Sequence, residues 1–174
     1  MSTGENKTLV RRYYEEVVAG GDVGRLSEFV APDYVEVFDN VRYPCGVDGA
    51  KAHIEGGHQT YSPLSLTVDR QIAEDDWVVT QVTVRGTHSG GNWLGIKPTG
   101  KGIEFTCVNV DRVREGRIVE HGGAANMLGP LLKIGAVKVV GAEEAHAQPC
   151  SAPNGGPAAS ADNSSARGGP PSVS

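Results

Sequence analysis

Cysteine and long apolar runs are both scarce in this chain. Cys45, Cys107 and Cys150 are an odd number at wide spacing, which argues against a disulfide framework and favours a reducing cytosol. The opening residues lack the apolar run of a signal peptide, and no stretch approaches the length of a transmembrane helix. The sequence therefore predicts a cytoplasmic protein that has no membrane partner.

Clusters of positive charge and metal-binding patterns are missing as well. The net charge of −5 is mild, and Lys and Arg form no phosphate-binding stripe, so nucleic acid is not an expected partner. The histidines show neither HxH nor HxxxH spacing with a carboxylate. We therefore assign no metal.

Large apolar residues almost disappear near the end of the chain. Between Ala142 and Ser174 the only one is Val173, so this tail cannot bury enough surface to offset the entropy of ordering it. We predict a disordered tail rich in Pro, Gly, Ser and Ala over residues 142–174. Residues 1–141 are expected to fold as one domain, which is large enough to need neither disulfides nor metal.

Helical periodicity dominates the first sixty residues. Apolar residues recur at helical spacing between Leu9 and Val18, and Gly20-Gly21 ends this first helix. Asp22 can cap a second short helix. A short strand over residues 34–38 and a third helix over about 47–60 complete this half.

The hydrophobic period changes to two after Pro63. Helices followed by antiparallel strands predict an α+β fold, in which a curved antiparallel sheet wraps around the N-terminal helices and forms a cone. Such a sheet leaves an internal pocket on its concave face, where small ligands bind. Strands are predicted near 64–68 and over 77–87, 103–113 and 117–125, with a turn at 114–116 and a closing helix over 128–134.

Several short motifs occur in the order typical of one family. They are E-N-K-T-L-V-R-R-Y-Y-E-E-V, A-P-D-Y-V-E, G-T-H, G-I-K-P-T-G, G-R-I-V-E-H and L-G-P-L-L-K-I-G. With these motifs the chain resembles the SnoaL-like polyketide cyclases, relatives of ketosteroid isomerase and scytalone dehydratase. The resemblance implies the cone fold, a homodimer built on the outer face of the sheet, and no metal or cofactor.

The resemblance also implies a chemistry. Members of this family close rings on polyketide intermediates by intramolecular aldol reactions, so the expected function is a cofactor-free cyclase in secondary-metabolite or antibiotic biosynthesis, using acid–base catalysis on a hydrophobic polyketide-like substrate. In the family pattern H-W-G-V-x-D-x-L-G, this chain has Gly122 for the Trp and Asn126 for the Asp. Two alternatives fit this departure: a hydroxylase component that works with a reductase on an aromatic polyketide, and a non-catalytic binder of a hydrophobic metabolite.

The substituted residue directs attention to its own strand. Asn126 cannot transfer a proton near neutral pH, but its amide could hydrogen-bond an enolate oxygen, or cap the helix that begins near Met127. If Asn126 faces the cavity, alternation puts Gly122 and Glu120 on the same face. Glu120 is then the first candidate for the missing acid or base, with a salt bridge to a strand arginine as the alternative. The absence of a Trp at 122 would widen the cavity.

Two histidines are further catalytic candidates. His88 shares a strand face with Val82 and Val84, and it could contact a bound carbonyl or stabilise the end of a hairpin. His58 lies four residues after the apolar Ile54 on the third helix. It could serve as a substitute base, or it could be exposed to solvent.

Three residues are candidates for substrate binding. Tyr14 could present its hydroxyl to the cavity or pack in the core. Trp93 could form a lid within the glycine-rich loop, and Asn109 is a polar group that needs a partner on an apolar strand. Spacing leaves Asp111 open as a second pocket carboxylate or a surface residue, and alternation against Glu120 predicts that His121 faces outward.

Overall fold

The computed structural model describes residues 2–90 and 95–141. The predicted α+β composition is confirmed. No helix in this described part is long and apolar enough to span a membrane. The elements in chain order are α1 (Thr3–Arg12), a π-helical segment (Tyr13–Val18), a 3₁₀ turn (Val23–Arg25), α2 (Leu26–Phe29), β1 (Val30–Phe38), β2 (Val41–Pro44), α3 (Gly46–Thr60), β3 (Ser65–Glu74), β4 (Trp77–Thr87), β5 (Gly102–Arg114), β6 (Arg117–Asn126) and α4 (Leu128–Ile134).

The first helix begins earlier than its apolar stripe predicts. Ser2 Oγ accepts a hydrogen bond from the backbone N–H of Glu5 at 3.2 Å, and the Glu5 carboxylate accepts one from the Ser2 N–H at 2.7 Å. This reciprocal capping satisfies two free donors of the first turn. The stripe continues into the π-helical segment, where Tyr13 and Tyr14 are both buried. Asp22 makes no side-chain cap, so the predicted cap there is wrong.

Six strands form one curved, open sheet in the order β2-β1-β6-β5-β4-β3. The strands from β3 to β6 are joined as antiparallel neighbours, as the two-residue periodicity predicts. The β1–β6 pair is parallel. The prediction of an antiparallel sheet therefore holds for every neighbouring pair except this one.

Two tight hairpins turn the chain with residues in the left-handed region. Glu115 and Gly116, at φ 50° and 74°, connect β5 to β6, which confirms the predicted turn at that point. Asp39 and Asn40, at φ 50° and 62°, connect β1 to β2. Two consecutive positive φ values match the twist of the flanking strands. Sequence analysis did not predict β2, which is a strand of only four residues, all of them exposed.

The hydrophobic core lies between the concave face of the sheet and the helices. Alternate residues of β4 and β5 supply its floor, and the helices supply its cover. The largest fully buried side chains are Tyr34, Phe29, Leu26, Ile118, Val10, Val17, Val30, Val78 and Val82, together with the polar Thr80 and Asp111. One part of the concave face is therefore filled with packed side chains.

A β-bulge in β6 decides which of its side chains face that core. Arg112 pairs with Glu120, but Val113 pairs with Ile118, so Val119 is an extra residue without a partner on β5. An extra residue reverses the alternation of the strand beyond it. Ile118 faces the core before the bulge; after it, the inward positions are odd-numbered and begin with His121.

Candidate active site

Three neighbouring strands bring ionisable side chains into one row on the concave face. The register aligns Glu36 of β1 with His121 of β6, and His121 with Asp111 of β5. Residues paired across strands share a face, and Asp111 is fully buried. Tyr14 reaches this row from the helical layer, and His53 reaches it from α3. We call these five residues the inner site.

The centre of the inner site is a carboxylate–imidazole pair. Asp111 Oδ1 lies 2.8 Å from His121 Nδ1, and the Tyr14 hydroxyl donates to Asp111 Oδ2 at 2.9 Å. Both carboxylate oxygens therefore have partners, which a buried charge requires. Because an ionised Asp111 can only accept, Nδ1 of His121 carries the hydrogen and Nε2 is left as the basic nitrogen. Within residues 2–90 and 95–141, no hydrogen bond to that Nε2 is present.

The surroundings tune His121 toward a stronger base. Burial lowers the pKa of His121, but the hydrogen bond that it donates to Asp111 and the negative charges of Asp111 and Glu36 outweigh burial and raise the pKa above the ordinary value. Burial raises the pKa of Tyr14 well above its usual value, and the charge of Asp111 raises it further. Tyr14 is thus a neutral donor that holds Asp111 in place.

A second carboxylate–imidazole pair lies beside the first. His53 Nδ1 is 2.8 Å from Glu36 Oε1, and the Tyr34 hydroxyl donates to the same oxygen at 3.1 Å. Burial raises the pKa of Glu36, but the hydrogen bond and charge of His53 and the charge of His121 outweigh this and lower the pKa. The rings of His53 and His121 meet edge to face with their centroids 5.6 Å apart.

The inner site lies next to an accessible part of the concave face. Gly123 and Ala125 follow His121 on the inward side of β6, and both are exposed. Asn109, two residues before Asp111 on β5, is half-buried beside them. A Cβ on Gly123 would lie 2.7 Å from Asn109 Oδ1, so glycine lets this amide lie across the neighbouring strand. A small molecule on this surface would meet an amide and an imidazole together.

The structure corrects the expected position of Glu120. Its side chain lies on the outer face of β6 and forms a two-point ion pair with Arg42 of β2, with Nη1–Oε1 and Nη2–Oε2 distances of 2.8 Å. The expectation that it lines the cavity is wrong because it depends on Asn126 facing the cavity, whereas Asn126 lies on the outer face and alternation puts Glu120 there with it. The alternative of a salt bridge to an arginine is correct, although the partner comes from β2.

Asn126 and Gly122 also lie on the outer face. Asn126 pairs with Thr106 at the end of β6 and is exposed, so the expectation that its amide enters the cavity is wrong. Helix α4 is capped at Met127 without a side-chain hydrogen bond, so Asn126 is not its cap either. A side chain on Gly122 would meet Val37. The absence of a Trp there therefore does not widen the concave side.

The structure does not bring the two other histidine candidates to the inner site. His88 is buried near the Tyr61 ring, 3.3 Å from Thr99 Oγ1. It lies ten residues beyond Val78, the partner of Asp111, which is roughly 30 Å along an extended strand. His58 Nε2 lies 2.8 Å from the carbonyl oxygen of Val18, so that nitrogen donates a hydrogen and cannot act as a base.

The three residues predicted to bind substrate have different positions in the structure. Asn109 lies half-buried beside the inner site, whereas Tyr14 is buried with its hydroxyl on Asp111, so the alternative of core packing describes it better than contact with a substrate. Trp93 lies outside the described residues. The prediction that His121 faces outward is wrong, and Asp111 is buried; these two residues form the centre that sequence reasoning missed. The signal that could have found them is the pairing of opposite charges across β5 and β6.

Comparison with known proteins identifies relatives for most of this fold. The family model described as SnoaL-like polyketide cyclase matches residues 8–134. AclR, a candidate hydroxylase from Streptomyces galilaeus, is similar at 29% identity with a TM-score of 0.67, over 80% of this chain and 86% of that one. IdmH, a candidate polyketide cyclase from Streptomyces antibioticus, is 29% identical with a TM-score of 0.62, over 75% and 98%. TsrD from Streptomyces laurentii, at 24% identity and a TM-score of 0.69 over 79% and 99%, supports the fold alone. No curated protein matches the chain.

Proposed function

Because the chain belongs to the SnoaL-like polyketide cyclase family, we propose that it closes a ring on a polyketide-derived substrate by an aldol reaction without a cofactor. The Asp111–His121 pair beside an accessible surface is the observation that supports this proposal. An aldol closure needs a base that removes a proton from carbon, a donor that stabilises the enolate, and an acid that protonates the new alkoxide. We further propose that this step belongs to cytoplasmic secondary metabolism.

In this proposal His121 is the base. Asp111 holds the ring with Nδ1–H toward itself, so that Nε2 takes the proton from a carbon between two carbonyl groups. Tyr14 acts through Asp111 and does not touch the substrate. The amide of Asn109 donates a hydrogen bond to the enolate oxygen. This assignment replaces Glu120 and Asn126 with residues on the opposite face of the same sheet.

The raised pKa of His121 gives this proposal a pH dependence. The base must be neutral to accept a proton, so kcat/KM rises as pH rises through the pKa of His121 in the free enzyme. Because that pKa lies above the ordinary histidine value, the rise occurs above about pH 6.5. An Asp111→Asn change removes the main cause of the raised pKa and shifts the rise toward lower pH.

A suitable substrate for the test is methyl 4-(2-formylphenyl)-3-oxobutanoate. Its C2 carbon attacks the aldehyde, and loss of water gives methyl 3-hydroxy-2-naphthoate, which is fluorescent. We expect the protein to accelerate this closure equally in air and under nitrogen. No acceleration over buffer by the folded protein would contradict the cyclase proposal.

A second candidate function is hydroxylation of an aromatic polyketide. The similarity to AclR, a candidate hydroxylase, favours it, and so does Asn126 in place of the family's acid. A hydroxylase would need oxygen and electrons from a reductase. Product that gains an oxygen atom only in air and with a reductase present would favour this function, whereas tight binding of aromatic β-ketoesters without conversion would favour a non-catalytic binder.

We propose that the chain forms a homodimer through the outer face of the sheet. One cross-strand row there contains Ile72, Val79 and Val110, and Ile72 and Val110 are exposed although apolar. Exposed apolar patches of this kind are typical of interfaces. Val110→Arg should convert a dimer to a monomer in light scattering after gel filtration, while Gln59→Arg on α3 should not. A wild-type monomer would contradict the proposal.

A further inference from the structure

His53 has a place in the inner site that the proposed base does not explain. It belongs to α3, and its side chain is 57% exposed, against 13% for His121. Its Nδ1 is bound to Glu36 at 2.8 Å, as that of His121 is bound to Asp111. In the part of the chain that the structure describes, each ring therefore has a carboxylate behind it and an Nε2 without a hydrogen bond, and the two rings are in edge-to-face contact.

We infer that His53 is a second catalytic residue of this site, the acid that protonates the alkoxide formed when His121 has removed the carbon-bound proton. The inference rests on the proposed function, because it needs a reaction with both steps. The exposed imidazole of His53 at the edge of the site can reach the carbonyl group of a substrate while the acidic carbon of the same substrate lies against the buried imidazole of His121. Glu36 fixes the orientation of the His53 ring through the contact of its Oε1 with Nδ1.

The steps balance without an external oxidant or reductant. The C–H bond breaks and its proton goes to Nε2 of His121, while the carbanion forms a C–C bond to the carbonyl carbon. The π pair of that carbonyl becomes an alkoxide, which takes the Nε2 proton of His53. His121 is then protonated and His53 is neutral. Transfer of one proton between the two contacting rings restores the starting state.

The contact between the rings of His53 and His121 also provides a route for a proton between them. The two rings lie side by side with their centroids 5.6 Å apart, so a proton taken up by one ring can pass to the other. The titratable groups that face the pair are Asp111 from β5, Glu36 and Tyr34 from β1, and Tyr13 and Tyr14 from the helical layer.

The test compares pH–rate profiles on methyl 4-(2-formylphenyl)-3-oxobutanoate. Wild type should give a bell-shaped profile, because the proposed reaction needs an unprotonated base and a protonated acid at the same time. His53→Gln should lose the alkaline fall, keep the acidic one, and have a maximum at least about tenfold lower. Imidazole added to His53→Ala should restore the lost rate, since the site of the ring is exposed. Glu55→Gln, an exposed change on the same helix, should leave the profile unchanged.

Nitrogen NMR of the histidine rings gives a second readout that needs no substrate. The titration of His121 should differ between wild type and His53→Gln, because the ring in contact with it is removed. If His53→Gln keeps the bell and the wild-type rate, or if His121 titrates identically in both proteins, the inference fails while the cyclase proposal stands. If the wild type does not convert the probe, the proposed function and this inference both fail.

Discussion

The two faces of β6 carry different kinds of residue, although the positions alternate along one strand. The outer face holds an ion-paired Glu120, followed by Gly122 and the exposed Asn126. The inner face begins with His121, which is backed by a buried carboxylate. The family resemblance directs attention to the first set, whereas the hydrogen bonds direct it to the second. In this strand, membership of the family motif does not show which side chains can act on a substrate. The face of the sheet on which a side chain lies does show it.

The largest expected difference between the faces is in catalysis. His121→Ala should lower kcat/KM for the ring-closure probe by about 10²- to 10⁴-fold, since it removes the base. Glu120→Gln should keep the rate within about twofold and lower the free energy of unfolding by at most about 1 kcal/mol, because its partner Arg42 is mostly exposed. Steady-state kinetics and urea unfolding measure both. A large rate loss in Glu120→Gln alone would reverse the comparison.

The next difference concerns stability against pH on the inner face. Because the folded-state pKa of His121 is raised, the Asp111–His121 pair stabilises the fold fully below the unfolded histidine pKa of about 6.5, and this part is lost as pH rises through the folded pKa. Asp111→Asn should lower the free energy of unfolding by about 1–3 kcal/mol. The deficit should shrink between about pH 6.5 and 9. A deficit that stays constant in urea titrations over that range would contradict this assignment.

Adjacent glycines give a smaller and more local comparison. A Cβ at 123 would lie 2.9 Å from the Val108 carbonyl oxygen and 2.7 Å from Asn109 Oδ1, while one at 122 would lie 3.1 Å from the Val37 carbonyl oxygen. Gly123→Ala should therefore cost about 1–3 kcal/mol of stability and reduce activity by displacing Asn109. Gly122→Ala should cost less and leave activity unchanged. Equal losses of activity in both variants would indicate that the amide of Asn109 is not used.

The smallest effect is expected at the residue that breaks the family motif. Asn126→Asp places a carboxylate on the exposed outer face, where water solvates it and it has no access to the concave side. We expect no gain in ring closure and a change in unfolding free energy within about 0.5 kcal/mol. A gain of activity would show that this end of β6 turns inward when substrate binds.

Much of the fold could be predicted from the sequence, because it depends on local preferences of the residues for strand, helix and turn. The bounds predicted for β4 and α4 match the structure, and Gly135 ends α4 in the left-handed conformation. Alternating Val and Thr residues and a glycine cap need no tertiary information. The β1–β2 hairpin was missed, although Asp39 and Asn40 lie between two runs in which apolar and polar residues alternate.

The candidate site could not be predicted in the same way, because it depends on one unpaired residue. Counting outward from the Glu115–Gly116 turn without a bulge places Asp111 opposite Glu120, two acids facing each other. The bulge instead places Asp111 opposite His121, and Arg112 opposite Glu120. Opposite charges across a ladder are favourable and like charges are not. Charge pairing was therefore the available signal, and alternation counted from Asn126 predicted the wrong face because Asn126 itself faces outward.

The bulge at Val119 thus decides which side chains of the rest of β6 face the concave side of the sheet. Pairing Val119 into the ladder, with no bulge, would bring a glutamate inward and turn the imidazole toward solvent. Two relatives could then share nearly every letter of this segment and still present different functional groups to the same substrate. Assigning a reaction within such a group of proteins requires knowing how β6 pairs with its neighbouring strand, since aligned sequences alone do not show which face each side chain occupies.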